Sequence, residues 1–437
     1  MNTPLAERTT EQLQRRAGAL NARLDQLKAA RLSLDLTRGK PSADQLDLSN
    51  ELDGILRGDF RMKDGTDARN YGGLLGIPEA RAFGAAILGT SPDRVIAGGN
   101  SSLTLMHFVV DAAARVGLWG AHSAWQRDGA PVKFVCPVPG YDRHFTICES
   151  LGIDMLTAPM TDTGPDMAAI EAMVAADPSI KGMWCVPKYS NPTGCVYSEA
   201  TVRRIAQLPK RAGAHFLVMW DNAYAVHDLV DTPPCLANIT AHLEAEGTED
   251  HVVQFTSTSK VTFAGGGVAF LAASRAVVKV LERILSAQTI GPDKINQLRH
   301  VRFLEGHLHA HMRRHAALIR PKFAAVLERL EQSLGGLGVA SWTNPVGGYF
   351  ISLDTLPGLA KRVVARAKSV GVTLTPAGAT YPYGKDPNDS NIRIAPTFPG
   401  LADVEAATDV FVLCVELESI AHVLAERGVP NLDRSAP

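Results

Sequence analysis

The chain has 437 residues, 46% hydrophobic and 20% charged, enough for two or three domains around a large buried core. Lys and Arg number 44 against 45 Asp and Glu, and the resulting net charge of −1 gives no overall field for nucleic acid or an anionic membrane. Six cysteines without a CxxC pair, an N-terminus lacking a signal-peptide core and the absence of a bilayer-length apolar run point to a soluble, cytoplasmic protein with reduced thiols.

In chain order, Thr9 and Gln12 have capping-box spacing ahead of a helix with Leu13, Leu20, Leu24 and Leu27 on one face. A second helix starts at Ile77-Pro78 and stops at Gly89, with proline first and glycine just past the end. From RVIAGG (94–99) onward, short apolar runs recur: VKFVCPV (132–138), KGMWCVP (181–187), HFLVMW (215–220), HVVQF (251–255) and VAFLAA (268–273). Most are separated by helical stretches, which predicts a mostly parallel sheet covered on both faces. VAFLAA follows HVVQF too closely for a crossover helix, so one strand there is expected to run antiparallel. Residues 274–335 read as nearly all helical. His307, His311 and His315 fall on one face of that stretch, with His309 nearby. Arg313 and Arg314 beside them favour a solvated face over a metal site, and no metal is expected. Short strands (VASW, GGYFISL, VTLTP, NIRIAP) and closing helices then suggest a smaller α+β unit. The expected division is residues 1–50 with the small domain, 51–320 as the large domain and 321–437 as the rest of the small one.

In open α/β sheets, ligands sit beyond the carboxyl ends of the strands. Those ends offer Asn191 after KGMWCVP, Asp221 and Tyr224 after HFLVMW, Lys260 after HVVQF, and Asn100, Ser101 and Ser102 opening a helix after RVIAGG. Singly, each has an ordinary reading as a cap, turn or surface charge. Together they suit pyridoxal phosphate. Lys260 offers an amine for its aldehyde, Asp221 an acid for the pyridine nitrogen, and Asn191 and Tyr224 donors for its phenolic oxygen. GGNSS offers hydroxyls and helix N–H groups for its phosphate. Tyr141 can stack on the ring, and Arg393 presents a fork for a carboxylate.

Over nearly its whole length the chain resembles the fold-type-I, pyridoxal-phosphate-dependent aminotransferases of class I/II. The matching pieces are YGGLLGIPEAR (71–81), GGNSSL (98–103), PVPGYDRH (137–144), YSNPTG (189–194), DNAY (221–224), STSK (257–260) and NIRIAP (391–396). The intervals of 30 residues from Asn191 to Asp221 and 39 from Asp221 to Lys260 are similar to the family's. LTRGKPS and the STSKVTFAGGGV run look closest to a bacterial aspartate-aminotransferase-like subgroup. The resemblance implies a seven-stranded-type sheet between helices, an α+β small domain and a homodimer with shared active sites. It also implies Lys260 as the cofactor-bound, proton-shuttling residue, Asp221, Asn191, Tyr224 and Tyr141 at the ring, and Ser101, Ser102 and Ser257 on the phosphate. Arg393 becomes the α-carboxylate clamp, and Tyr71 a phosphate ligand lent by the neighbouring subunit. Gly39 joins the substrate-binding set, with Arg38, Lys40 and Lys294 as candidate cations for a second carboxylate. Most of the family carries a phosphate-binding arginine eight residues after the lysine, where this chain has Val268.

The expected activity moves an amino group from an L-amino acid, aspartate or another dicarboxylic one, to a 2-oxo acid such as 2-oxoglutarate. The alternatives are a β-lyase, decarboxylase or racemase on the same scaffold. The effector-domain type of an aminotransferase-like transcription regulator ranks lower, because fewer than forty residues precede LTRGKPS and they carry no helix-turn-helix pattern.

Overall fold

The continuous apolar runs become strands of one sheet in the computed structural model, which describes residues 3–29, 33–127 and 129–429. Its strands are β1 (Val95–Ala97), β2 (Lys133–Val138), β3 (Asp154–Thr161), β4 (Gly164–Pro165), β5 (Ile180–Cys185), β6 (Leu217–Asp221), β7 (Val252–Ser257) and β8 (Ala269–Ala272). Their spatial order is β1-β8-β7-β6-β5-β2-β3-β4. Pairs from β7 through β3 are parallel, and β8 is antiparallel to both neighbours, as the short β7–β8 connection requires. Seven strands make the body of the sheet, and the two-residue β4 adds an antiparallel edge to β3.

Alternate residues of the strands feed two apolar layers. Phe134, Leu217, Met219 and Phe255 face one with helices Ser102–Arg115, Asp142–Ser150 and Arg275–Leu285. Val135, Met183, Val218 and Trp220 face the other with helices Met167–Ala176, Glu199–Gln207 and Ile239–Glu246. Burial on both sides explains why these strands read as unbroken apolar runs. Strand β3, next to the short edge strand β4, mixes buried and exposed positions and so presents no such run.

Helix Thr10–Ala29 opens with the expected reciprocal cap: Gln12 N–H donates to Thr9 Oγ1 (3.2 Å) and Thr9 N–H to Gln12 Oε1 (2.9 Å). Leu13, Leu20 and Leu24 bury into a core shared with Phe323, Ile351, Ile392 and Phe411, so the beginning and end of the chain pack together. Strands Ala340–Trp342, Ile351–Thr355 and Asn391–Ile394 form an antiparallel sheet there. The helical stretch after β8 divides into Arg275–Leu285, Lys294–Leu304 and Leu308–Leu334. The solvated face expected for its histidines is corrected: His311 and His315 are buried against the segment that follows β7, and the arginines beside them point elsewhere. No helix among the described residues is long and apolar enough to cross a membrane.

Candidate active site

Beyond the carboxyl ends of β5, β6 and β7 lies a cavity of about 570 Å³. Of the predicted residues, Arg38, Gly39, Lys40, Tyr141, Asn191, Tyr224, Lys260 and Arg393 line it. Asp142, Arg143, Phe350 and Thr375, not singled out from sequence, line it too. The walls come from the sheet, from the segment before helix Ala43–Asp47 and from the antiparallel C-terminal sheet.

Strand β7 stops at Ser257, and Lys260 sits in the tight turn that follows. Its amine lies 5.0 Å from the centroid of the buried Tyr224 ring and has no hydrogen-bond or ion-pair partner among the described residues. Burial lowers its pKa below the ordinary lysine value, and the charge of Asp221 offsets part of that shift. Asp221 closes β6 and is 1% exposed. Its Oδ2 accepts from His144 Nε2 (3.0 Å), while Oδ1 is buried without a partner. An unpaired carboxylate oxygen at that depth calls for a donor, preferably a cationic one. His144 stacks on Trp184 with centroids 4.1 Å apart, which fixes the ring that fixes the acid. Sequence reasoning missed His144, although it falls one helical turn after Tyr141 in GYDRH.

Arg393 projects from strand Asn391–Ile394 and is 7% exposed. Its Nη1 donates to Asp142 Oδ1 (2.9 Å) and Asn191 Oδ1 (3.2 Å), its guanidinium lies over Phe350 (4.9 Å), and its buried Nε has no partner. Gly39 allows that packing, since a Cβ there would stand 2.3 Å from Phe350 Cζ. Arg38, Lys40 and Arg143 add exposed positive charge at the mouth, and the Lys40 amine rests over Phe398 (3.7 Å).

A second group of predicted residues stands next to the cavity without lining it. Ser101 caps helix Ser102–Arg115, and both serines are half-buried. Ser257 pairs in register with Ala269, whose N–H donates to Gly99 O (2.7 Å), so the STS and GGNSS segments are neighbours. Ser257 Oγ meets Ser259 Oγ at 2.7 Å. Asn100 is exposed and donates to Gly265 O (3.0 Å). Val268 is 1% exposed and packs with Ile77, Val95 and Leu298, so the position that carries arginine in most of the family is apolar core here.

Two predicted residues lie elsewhere on the chain. Tyr71 is 83% exposed, and Lys294 is buried with its amine donating to Tyr71 O (3.2 Å). Both line a separate surface depression with Arg69 and Ile290.

The model of the family described as aspartate amino-transferase matches residues 8–427. The chain belongs to the aspartate aminotransferase family. This family member is 46% identical to an aspartate aminotransferase of Corynebacterium glutamicum over 407 residues, 92% of this chain and 93% of that one. It is 49% identical over 409 residues, 92% and 95% of the two chains, to a Mycolicibacterium smegmatis protein described as an aminotransferase. A crystal structure of an aspartate transaminase from C. glutamicum superposes with a TM-score of 0.93 at 43% identity, covering 97% of this chain and all of that one. The aspartate aminotransferase family member is thus an enzyme of the transferase class with the family's mostly parallel α/β sheet.

Proposed function

We propose that the enzyme binds pyridoxal phosphate and moves an amino group from a dicarboxylic L-amino acid, aspartate foremost, to a 2-oxo acid such as 2-oxoglutarate. The observation that carries this reading is a buried acceptor beside an unpartnered amine: Asp221 Oδ1 is buried without a donor, and the Asp221 charge acts on the Lys260 amine in the cavity wall. The residues fit the cofactor, because a pyridinium N–H is the donor that Asp221 Oδ1 lacks. Bound pyridoxal phosphate supplies an aldehyde that captures amines and a ring that accepts electrons from the substrate.

The chain's own residues do the rest. Lys260 Nζ holds the cofactor and, when free, burial that lowers its pKa suits it to take a proton from the substrate Cα. Asp221 holds the ring nitrogen protonated, and His144 holds Asp221. Asn191 and Tyr224 orient the phenolic oxygen, and Tyr141 covers the ring. Asn100, Ser101, Ser102, Ser257 and the helix N-terminus bind the phosphate, joined by Tyr71 of a second subunit in a homodimer. Arg393 takes the α-carboxylate. Gly39 keeps that end of the cavity open. A second carboxylate has Arg38, Lys40 and the structurally added Arg143 within the same cavity, whereas Lys294 travels with Tyr71.

Borohydride reduction and peptide mapping should find the cofactor on Lys260. Lys260→Ala should lose both the visible cofactor band and transamination, and wild-type turnover in that variant would sink the assignment. Asp221→Ala should keep some cofactor and lose most activity. The substrate class fails if aspartate and glutamate are no better donors than alanine and phenylalanine.

A further inference from the structure

The segment carrying Lys260 is a single helical turn. Val261 and Thr262 N–H both donate to Thr258 O at 2.8 Å. The carbonyls of Lys260 and Val261 come at the end of that turn, where no following backbone N–H serves them. Buried carbonyls need donors, and here side chains from three distant parts of the chain supply them. Lys260 O accepts from Tyr349 Oη (3.3 Å) and His227 Nε2 (3.3 Å). Val261 O accepts from His311 Nε2 (2.7 Å), and His315 Nε2 stands 3.1 Å from that same His311 Nε2. Behind these, Gln45 Nε2 donates to Tyr349 Oη and to His315 Nδ1, both at 3.1 Å, while Gln45 Oε1 accepts from Ser42 N–H.

The partners determine the protons. With Nδ1 accepting from Gln45, the neutral His315 carries its hydrogen on Nε2, on the side of His311. The arrangement is satisfied only with neutral imidazoles. Burial keeps them so, pushing His315 down to about 4 and His227 down to about 3 and also lowering His311. The charged and titratable groups facing the turn are Lys260 itself, Asp221 and the Tyr224 phenol, with Arg314 near His311 and His315.

We propose that Gln45, Tyr349, His311 and His315 form a clamp that positions Lys260, holding its turn so that the amine stays in the cavity wall. An ordinary buried polar cluster would scatter its hydrogen bonds, whereas Tyr349 and His311 donate to the carbonyls of Lys260 and Val261, and Gln45 and His315 stand directly behind those two donors. The clamp also joins the cavity walls to the lysine. Gln45 follows the Thr37–Lys40 wall by a few residues, and Tyr349 precedes Phe350 of the opposite wall. Its members are positioning residues, since none lines the cavity.

The inference rests on the reading of Lys260 as the cofactor-binding residue, and its test keeps the two apart. The full-length chain, stripped of cofactor, is treated with formaldehyde and cyanoborohydride across pH 6–10, and methylation of the Lys260 peptide is followed by mass spectrometry. In wild type the reactivity midpoint should lie below that of ordinary lysines. Tyr349→Phe removes the donor to Lys260 O and His315→Leu the link between Gln45 and His311, each letting the turn relax toward solvent, so the midpoint should rise by about one pH unit. His315→Gln, whose amide N–H can replace Nε2–H, should return it to the wild-type value. Tyr349→Phe decides alone if His315→Leu does not fold. An unchanged midpoint in the variants that fold, or an equal rise in His315→Gln, overturns the clamp. Cofactor mapped to a lysine other than Lys260 overturns the proposed function instead, and the midpoints remain readable.

Discussion

Arg393 combines a near-complete burial with an unfinished set of hydrogen bonds. Its Nη1 is shared between Asp142 and Asn191, and its Nε points to no protein acceptor. A substrate carboxylate would meet a guanidinium already paired with Asp142, and would have to share or displace that partner. A charge-assisted hydrogen bond contributes about 1.5–3 kcal/mol, so Arg393→Ala should raise KM about ten- to a hundredfold for donor and acceptor alike. Arg393→Lys should recover little, because a single ammonium lacks the planar fork. Steady-state kinetics with both substrates check this, and a change confined to one substrate would count against the α-carboxylate role. Gly39 belongs to the same argument. A methyl group there would collide with the buried Phe350 ring that lies under the guanidinium, so Gly39→Ala should raise KM for both substrates.

At the scale of elements, the chemistry-bearing strand ends were legible because doubly buried strands write themselves as unbroken apolar runs. The residues just after those runs, Asn191, Tyr224 and Lys260, do meet at one cavity. Strand β3 was invisible for the converse reason, since its exposed positions break the run. The partners His144 and Arg143 were illegible because their importance lies in distance across space, not along the chain. Helix Leu308–Leu334 misled most. Arg313 and Arg314 suggested solvent, yet the turn-to-turn spacing that aligns His311 and His315 aligns them inward. That burial has a consequence for stability. These imidazoles and His227 have folded-state pKa values below the unfolded value near 6.5, so the unfolded chain binds more protons as acid is added. Their contribution is fully present above about pH 6.5 and is lost as pH falls toward 4 for His315 and 3 for His227. Between pH 6.5 and 5 His315 and His227 should each cost up to about 2 kcal/mol. Denaturant titrations at both pH values should show wild type losing more stability than His315→Gln; an identical loss would contradict the assignment.

The whole molecule leaves one surface unaccounted for within a single chain. Tyr71 is 83% exposed and Ile290, 64% exposed, stands with it around the same depression, which an isolated subunit would leave to water. Tyr71 lines no part of its own chain's Lys260 cavity. The role proposed for Tyr71 is in trans, on a partner's phosphate site, and Lys294, bonded to the Tyr71 carbonyl, would then reach the partner too. Mixed dimers separate the possibilities. Tyr71→Asp should cripple a site by setting a carboxylate against the cofactor phosphate, where like charges repel, and Lys260→Ala should disable one outright. If Tyr71 serves the opposite subunit, a heterodimer of the two variants contains one site with both residues intact. Equal co-refolding of the variants, with differently tagged chains to prove exchange, should restore about a quarter of wild-type activity, as random pairing in a two-fold dimer requires. If Tyr71 acts within its own chain, every site in every combination is damaged. Tagged heterodimers that form and remain inactive would therefore refute the shared site, and Lys294 would lose its claim on the substrate with it.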